Sequence, residues 1–535
     1  MRGRNGLEGF GAIVVALGIV AAPACGDDAG DNPNDGGTTK DGSDEGLTNP
    51  DGGPIDPGGT GGGPAILELG CPTLSMPGGD AAVYVNASSG GGDGSKGSPV
   101  KTIGEAIAKA GDGGVIWVAA GTYQGGIDIS SSVTIYGGFD ASFGSRTDGC
   151  ATTIQGGGVV FQVAASAKNV TIDGVSVKGG TRGVELTGDS SGALIAIGNS
   201  VFEDNGRSEA VGGAVFVDRA SLKVSRTAFR NNQAEKGGAI AMYGEASTLA
   251  IEGCLFDGNV GHSDHGGAVY VSPKTGTIVR STFRKNEIGK TAGYGWGGAV
   301  IVFKGGSVNT KVDFAYNVFT DNLASVGGAV FVDEGATATM SHDLLYKNRS
   351  ILEGGFARGA ALYVDGTGKG ASGGSTLIGD HLTVVDNAYD PSGTRVNARG
   401  GGVYLESNSK ATFTNSIFWN NGPTPNEFFF GDGTCTVTVS NSIAPSACGG
   451  GASCSVGDNV TMPDEIHFVD EAKDDYHEKS TAGHFSKGTW VNDSVTSPAV
   501  DKADPSAGAD VEPAPNGGRA NLGAYGRTVE ASKSP

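Results

Sequence analysis

Two short motifs alternate along this chain at a spacing that leaves room for little besides strands and turns. One is a small residue, any residue, an aromatic, two more and Asn: SVFEDN ending at Asn205, TAFRNN at Asn232, CLFDGN at Asn259, STFRKN at Asn286 and NVFTDN at Asn322, with degenerate copies ending at Asn348, Asn387 and Asn421. The other is Gly-Gly-Ala-aliphatic, starting at Gly212, Gly237, Gly266, Gly297 and Gly327 and continued by GAALYV from Gly359 and GGGVYL from Gly400. Asn205, Asn232, Asn259 and Asn286 fall 27 residues apart. A unit of that length cannot bury its own apolar positions, so the copies must stack.

Stacked strand-turn units make a parallel β-helix, in which each repeat is one rung and successive rungs hydrogen-bond at about 4.8 Å. Propeller blades need about 40 residues or more and do not fit the period. Strand alternation predicts inward columns from Val215 and Val217, Ile240 and Met242, Val269 and Val271, Val300 and Val302, Val330 and Val332, and Leu362 and Val364. The Asn positions read as a ladder, each amide bonding the same amide one rung away. The double glycines read as tight turns. Upstream, Thr102 and Glu105 form a capping box, and Ile103, Ala106, Ile107 and Ala110 share a face ending at Gly111. This is one short amphipathic helix.

The boundaries follow. Residues 1–25 form an export signal, with Arg2 and Arg4 ahead of an apolar run from Phe10 to Ala22 that is too short to span a bilayer. Residues 26–70, rich in Gly, Asp, Pro, Asn and Thr, form a disordered tether. Residues 71–150 hold the N-terminal cap and first coils, 151–445 the repeats, and 446–535 a C-terminal cap region. Gly makes up 96 of 535 residues without a Gly-X-Y period, which excludes collagen. A net charge of −21 without a basic-aromatic patch excludes nucleic acid as a partner. Outside the cytoplasm Cys71, Cys150, Cys254, Cys435, Cys448 and Cys454 can form disulfides, with connectivity left open.

The paired motifs resemble those of the polymorphic outer-membrane-protein repeat and, more broadly, the pectin-lyase-like superfamily, over about residues 150–440. The resemblance implies an all-β, right-handed parallel β-helix solenoid with a short N-terminal capping helix. The YV, GSPVKTI and AGTY series resembles the opening segment of many bacterial β-helix proteins, and SPAVDKADP with EPAPNGGRANLGAYGRTVEAS resembles their closing segment. Unlike the polymorphic proteins, this chain shows no ten-residue alternating strands for a membrane barrel. Cys25, followed by Gly26-Asp27-Asp28, resembles a bacterial lipoprotein signal, although Ala22 stands where Leu is usual. That resemblance implies lipidation at Cys25 and a place at the outer membrane or cell surface; the rival reading is plain secretion.

Fold alone assigns no function. The Asn-Thr-Asp, paired-Asp, His-Gly and Arg-Ile-Lys series of polygalacturonase-like enzymes is missing, as are the WxDH and RxPxxR patterns of pectate lyases. Cys254 reads as an inert buried thiol, and His262, Asp264 and His265 as a polar turn rather than a metal site. Alternation points Phe216, Tyr270, Phe331, Tyr363 and Tyr404 outward in one column beside Asp218, Asp333, Asp365 and Glu406, with Ala241, Ile301, Ser272 and Lys304 as interruptions. Aromatic faces beside carboxylates suit sugars, or Ca²⁺ shared between rungs. The sequence therefore predicts a non-catalytic adhesin or glycan- or protein-binding module at the cell surface, with polysaccharide or a surface protein as partner. The alternative is a polysaccharide lyase or glycoside hydrolase, tested first at Arg358, Arg395 and Arg399 with Asp386, Asp390 or His381.

Overall fold

A computed structural model describes residues 62–535 except 147, 189, 264, 289–294, 307–308, 352–356, 367–372, 390–397, 423–428 and 446–447. Each repeat contributes one strand to each of three parallel sheets. In one rung these are Val215–Asp218 for the first sheet, Ser221–Ser225 for the second and Ala228–Arg230 for the third, followed by a two-residue strand, Gln233–Ala234. Register is residue for residue: Val215 pairs with Ile240, Ile240 with Val269, Val269 with Val300 and Val300 with Val330. The chain is a right-handed parallel β-helix solenoid.

The interior follows the alternation. All six predicted aliphatic pairs lie in one continuous core. The aromatic of each Asn motif points into it, and Phe202, Phe229, Phe256, Phe283 and Phe319 stack ring on ring at 4.6–5.4 Å. Cys254 is buried in the same core, and burial pushes its thiol up to about 12. The asparagines form a buried ladder: Asn205 Nδ2 donates to Asn232 Oδ1 at 3.0 Å, and the relay continues through Asn259, Asn286, Asn322, Asn348 and Asn387 to Asn421. Each amide also donates to a backbone carbonyl, Asn259 to that of Phe229 for example. The turn is thus fixed to its neighbours without water.

At the N-terminal end the helix Ile103–Ala110 carries both capping-box bonds, Glu105 N to Thr102 Oγ1 and Thr102 N to Glu105 Oε2. Ile103, Ala106 and Ile107 pack into the core.

Within the 26–70 segment expected as a tether, the described residues 62–70 pack on the solenoid. Pro64, Leu67 and Leu69 are buried, and Leu67 and Leu69 cover Val201, Ala228 and Leu255 on the outward side of the third sheet. This strap is held by Leu67 N donating to Thr282 Oγ1 at 2.8 Å, by the Glu68–Arg284 ion pair and by Arg230 donating to the Leu69 carbonyl. The few apolar residues at its end meet a prepared apolar stripe, a context that local composition does not encode. Residues 1–61, including the export signal and Cys25, lie outside the described residues.

The C-terminal region does more than close an end. Ser453–Val456 and Val460–Thr461 continue the second and third sheets. Later residues turn back, so that Ile466, Phe468, Tyr476, Leu522 and Tyr525 pack on Val318, Leu344, Tyr346, Val385, Ile417 and Ile443, again on the outward side of the third sheet. Strap and tail meet where Gly63 N donates to Glu530 Oε2 at 3.0 Å. Two disulfides form, Cys71–Cys150 and Cys448–Cys454, and Cys254 and Cys435 are free and buried.

Candidate functional site

The outward side of the first sheet carries the predicted column in register. Phe216, Ala241, Tyr270, Ile301, Phe331, Tyr363 and Tyr404 succeed one another rung by rung. They face away from the main core but not into solvent: Tyr270, Phe331, Tyr363 and Tyr404 are 8, 2, 4 and 3% exposed. They form a second apolar cluster with Phe303, Val326 and Trp296. The open stacking platform expected from alternation is therefore absent at these four positions. Alternation gives direction only, whereas His265, Trp296, Val326 and Arg358 bridge in parallel just ahead of the double-glycine turns and bring Trp296 and Val326 onto the column.

Beside the aromatics runs the acidic column. Asp218 aligns with Tyr243 and Ser272, and Phe303 with Asp333. Phe303, rather than Lys304, is the interruption there. The bonds from Asp365 N to the Val332 carbonyl and from Glu406 N to the Val364 carbonyl carry the register on, and the pairing of Leu405 with Gly431 sets Asp432 next. Asp333, Asp365, Glu406 and Asp432 thus stand on four successive rungs, about 4.8 Å apart. Asp218 lies four rungs before Asp333 beside Arg219 and is not part of this group; neither are Phe216 and Tyr270. Asp432 escaped the sequence reading because no double glycine precedes it. Its signal was the pattern apolar-aromatic-x-acid, shared by VFVD at 330–333, LYVD at 362–365, VYLE at 403–406 and FFGD at 429–432.

The four carboxylates differ in their surroundings. Glu406 Oε2 accepts from the Tyr363 hydroxyl at 2.5 Å, and its Oε1 accepts from Tyr404 at 3.2 Å and pairs with Arg358. Arg358 also lies over the Tyr404 ring, 5.0 Å from its centroid. The Tyr363 and Tyr404 rings are stacked, 4° from parallel. Asp432 is spent on its own turn, accepting from Thr434 N at 2.9 Å and Ser407 N at 3.1 Å. Asp365 Oδ1 is buried without a hydrogen-bond partner. Burial first, then the neighbouring Glu406 charge, pushes Asp365 up to about 6. Burial and the Asp365 charge push Asp333 up to about 7. One carboxyl that burial raises to about 6 therefore stands one rung from one that is ion-paired.

The other candidates disperse. Arg358 and Arg399 are register partners on successive rungs beside this group. Asp386 lies under the C-terminal tail, accepting from Tyr476 at 3.0 Å and Asn420 at 2.6 Å. His381 is fully buried and stacked on His342. His262 reaches Gln233 at 3.0 Å, whereas His265 packs on Trp296, so the two do not share a ligand site. Asp264, Asp390 and Arg395 lie outside the described residues. Among the described residues, the one group of three or more potential ligands converging within 4.8 Å is Cys71, Asp148 and Cys150, and its cysteines are disulfide-bonded. The acidic column does not converge in this way, and with Glu406 and Asp432 engaged it falls short of the six to eight oxygens Ca²⁺ takes.

Comparison with known proteins agrees with the fold. A family profile described as "Right handed beta helix region" matches residues 130–322. A second, "Disaggregatase related", matches residues 430–503. Among solved structures the chain is similar to a complex of the alginate lyase AlyF-OU02 with G6, at 10% identity and a TM-score of 0.34, covering 74% of this chain and 89% of that one. It is also similar to the catalytic domain of a GH87 alpha-1,3-glucanase in complex with nigerose, at 13% identity and a TM-score of 0.33, covering 75% and 71%. Neither likeness enters the functional assignment. No curated protein matches the sequence.

Proposed function

We propose that this protein is a glycoside hydrolase acting on an uncharged polysaccharide, with Asp365 as general acid and Glu406 as its carboxylate partner. The observation that carries the reading is their difference on adjacent rungs: Asp365 has a buried, unpartnered oxygen and titrates near 6, whereas Glu406 is ion-paired to Arg358. Two carboxyl groups driven to opposite protonation states are what protonation of a leaving oxygen and stabilisation of an oxocarbenium-like transition state require. Asp365 donates its proton to the glycosidic oxygen as the C–O bond breaks, Glu406 supports the positive charge that develops at the anomeric carbon, and a water molecule adds there and returns a proton to Asp365.

The charge argues for a neutral chain. A polyuronate would meet the Glu406 and Asp432 carboxylates and a protein of net charge −21, and Arg358, the group that could neutralise a uronate, is engaged by Glu406. This weakens the lyase alternative. The adhesin reading loses its open aromatic platform at Tyr270, Phe331, Tyr363 and Tyr404. Export and lipid anchoring through Cys25 stay within the proposal, tested by fatty-acid labelling that Cys25→Ser removes.

The deciding experiment is a panel of neutral polysaccharides and polyuronates assayed for new reducing ends, unsaturated products and retention of intact polymer. New reducing ends from a neutral polymer, reduced at least about 100-fold by Asp365→Asn and by Glu406→Gln, are expected. Retention without product restores the binding module; unsaturated product from a polyuronate restores the lyase.

A further inference from the structure

Glu406 is held from two rungs at once. Arg358 and Tyr363 belong to the rung before it, Tyr404 to its own, and all three converge on its two oxygens. The two tyrosines do not contribute equally. The Tyr404 hydroxyl shares Oε1 with Arg358 at the longer distance of 3.2 Å, whereas Tyr363 reaches Oε2 at 2.5 Å. The Tyr363 ring is seated edge-on to Phe331 at 4.9 Å and stacked on Tyr404 at 5.4 Å. A hydroxyl delivered by a ring locked in this way has little freedom to follow a rotating carboxylate.

We infer that Tyr363 is a positioning residue, which fixes the orientation of the Glu406 carboxylate toward the neighbouring Asp365 by occupying Oε2 from the rung below. Without that bond Arg358 still anchors Oε1, and the carboxylate pivots about it. The charge stays while its direction is lost. Burial and the Glu406 charge hold the Tyr363 phenol well above its ordinary range, so it serves as a donor at every accessible pH. This role rests on the hydrolase reading for its effect on turnover, but not for the contact itself.

The test compares Tyr363→Phe and Tyr404→Phe in the full chain, each keeping its ring. With a neutral polysaccharide that the wild type cleaves, Tyr363→Phe is expected to lower kcat at least about tenfold with KM within about twofold, and Tyr404→Phe to change kcat less. The second readout needs no substrate. In protein labelled with ¹³C-carboxyl glutamate, the resonance absent from Glu406→Gln is expected to move in Tyr363→Phe. An unmoved resonance, or equal effects of the two variants on kcat, overturns the inference. If the wild type cleaves nothing, the hydrolase reading falls and the resonance alone decides whether Tyr363 holds Glu406.

Discussion

Asn317 Nδ2 donates to Asp343 Oδ1 over 2.9 Å inside the solenoid, at the position that Ser200, Thr227, Cys254 and Ser281 fill in earlier repeats. Asn317 N donates to the same oxygen, and Asp343 Oδ2 has no partner. Burial pushes this carboxyl up to about 8 against an ordinary 3.8, so the folded protein binds a proton that the unfolded chain releases. Stability attached to Asp343 is therefore complete below about pH 4 and falls as pH rises toward 8. Asp343→Asn removes that dependence. Its new amide also faces the Phe314 carbonyl, the register partner of the Ile278 carbonyl that Asn317 uses. The variant should gain about 1–3 kcal/mol at neutral pH in denaturant titration, and the gain should vanish in mild acid.

The asparagine ladder makes the opposite prediction. Asn259 accepts from Asn232 N and Nδ2 and donates to Asn286 Oδ1 and the Phe229 carbonyl, all buried. Asn259→Leu strands groups on both neighbouring rungs and should cost about 3 kcal/mol or more. Hydrogen exchange should quicken at Asn232 and Asn286 ahead of the ends of the solenoid. A loss below about 1 kcal/mol would contradict a cooperative ladder.

Activity should fall on the alkaline side. Asp365 titrates near 6 and its neighbour Asp333 near 7, both raised by burial, and the reaction needs a proton on Asp365. The descending limb of kcat/KM is expected near pH 6, and Asp333→Asn should leave it in place, because Asp333 is still largely protonated and neutral there. A limb near pH 7 that disappears with Asp333→Asn would move the proton-donating role from Asp365 to Asp333.

The strap should respond to reduction. Cys71–Cys150 closes a loop with a sequence separation of 79, which corresponds to about 4 kcal/mol on a chain-entropy basis. Replacing both cysteines by Ser should lower the unfolding midpoint and speed cleavage within residues 62–70 in limited proteolysis. Equal resistance in both forms would show that Leu67, Leu69 and the Glu68–Arg284 pair hold the strap unaided.

What the sequence by itself determined is the solenoid: its period, its inward columns, the Asn ladder, the short helix and the direction of the aromatic column on the first sheet. Those features repeat, and stacking multiplies each local preference by the number of rungs, so Val215 predicts Val330 as surely as it predicts Val217. Whether an outward residue meets water was decided only by the tertiary structure. Tyr363 and Tyr404 point as alternation says and are buried all the same, because Arg358 lies over the Tyr404 ring and Phe331 packs edge-on to Tyr363 in the same cluster. The strap at Leu67 and the tail at Tyr525 find the third sheet across more than a hundred residues of sequence, through apolar contacts that carry no period. The pairing of Asp365 with Glu406 belongs to both levels. Their column was legible in the repeat, but which of the two holds the proton depends on burial and on Arg358, and those emerge only once the rungs are stacked.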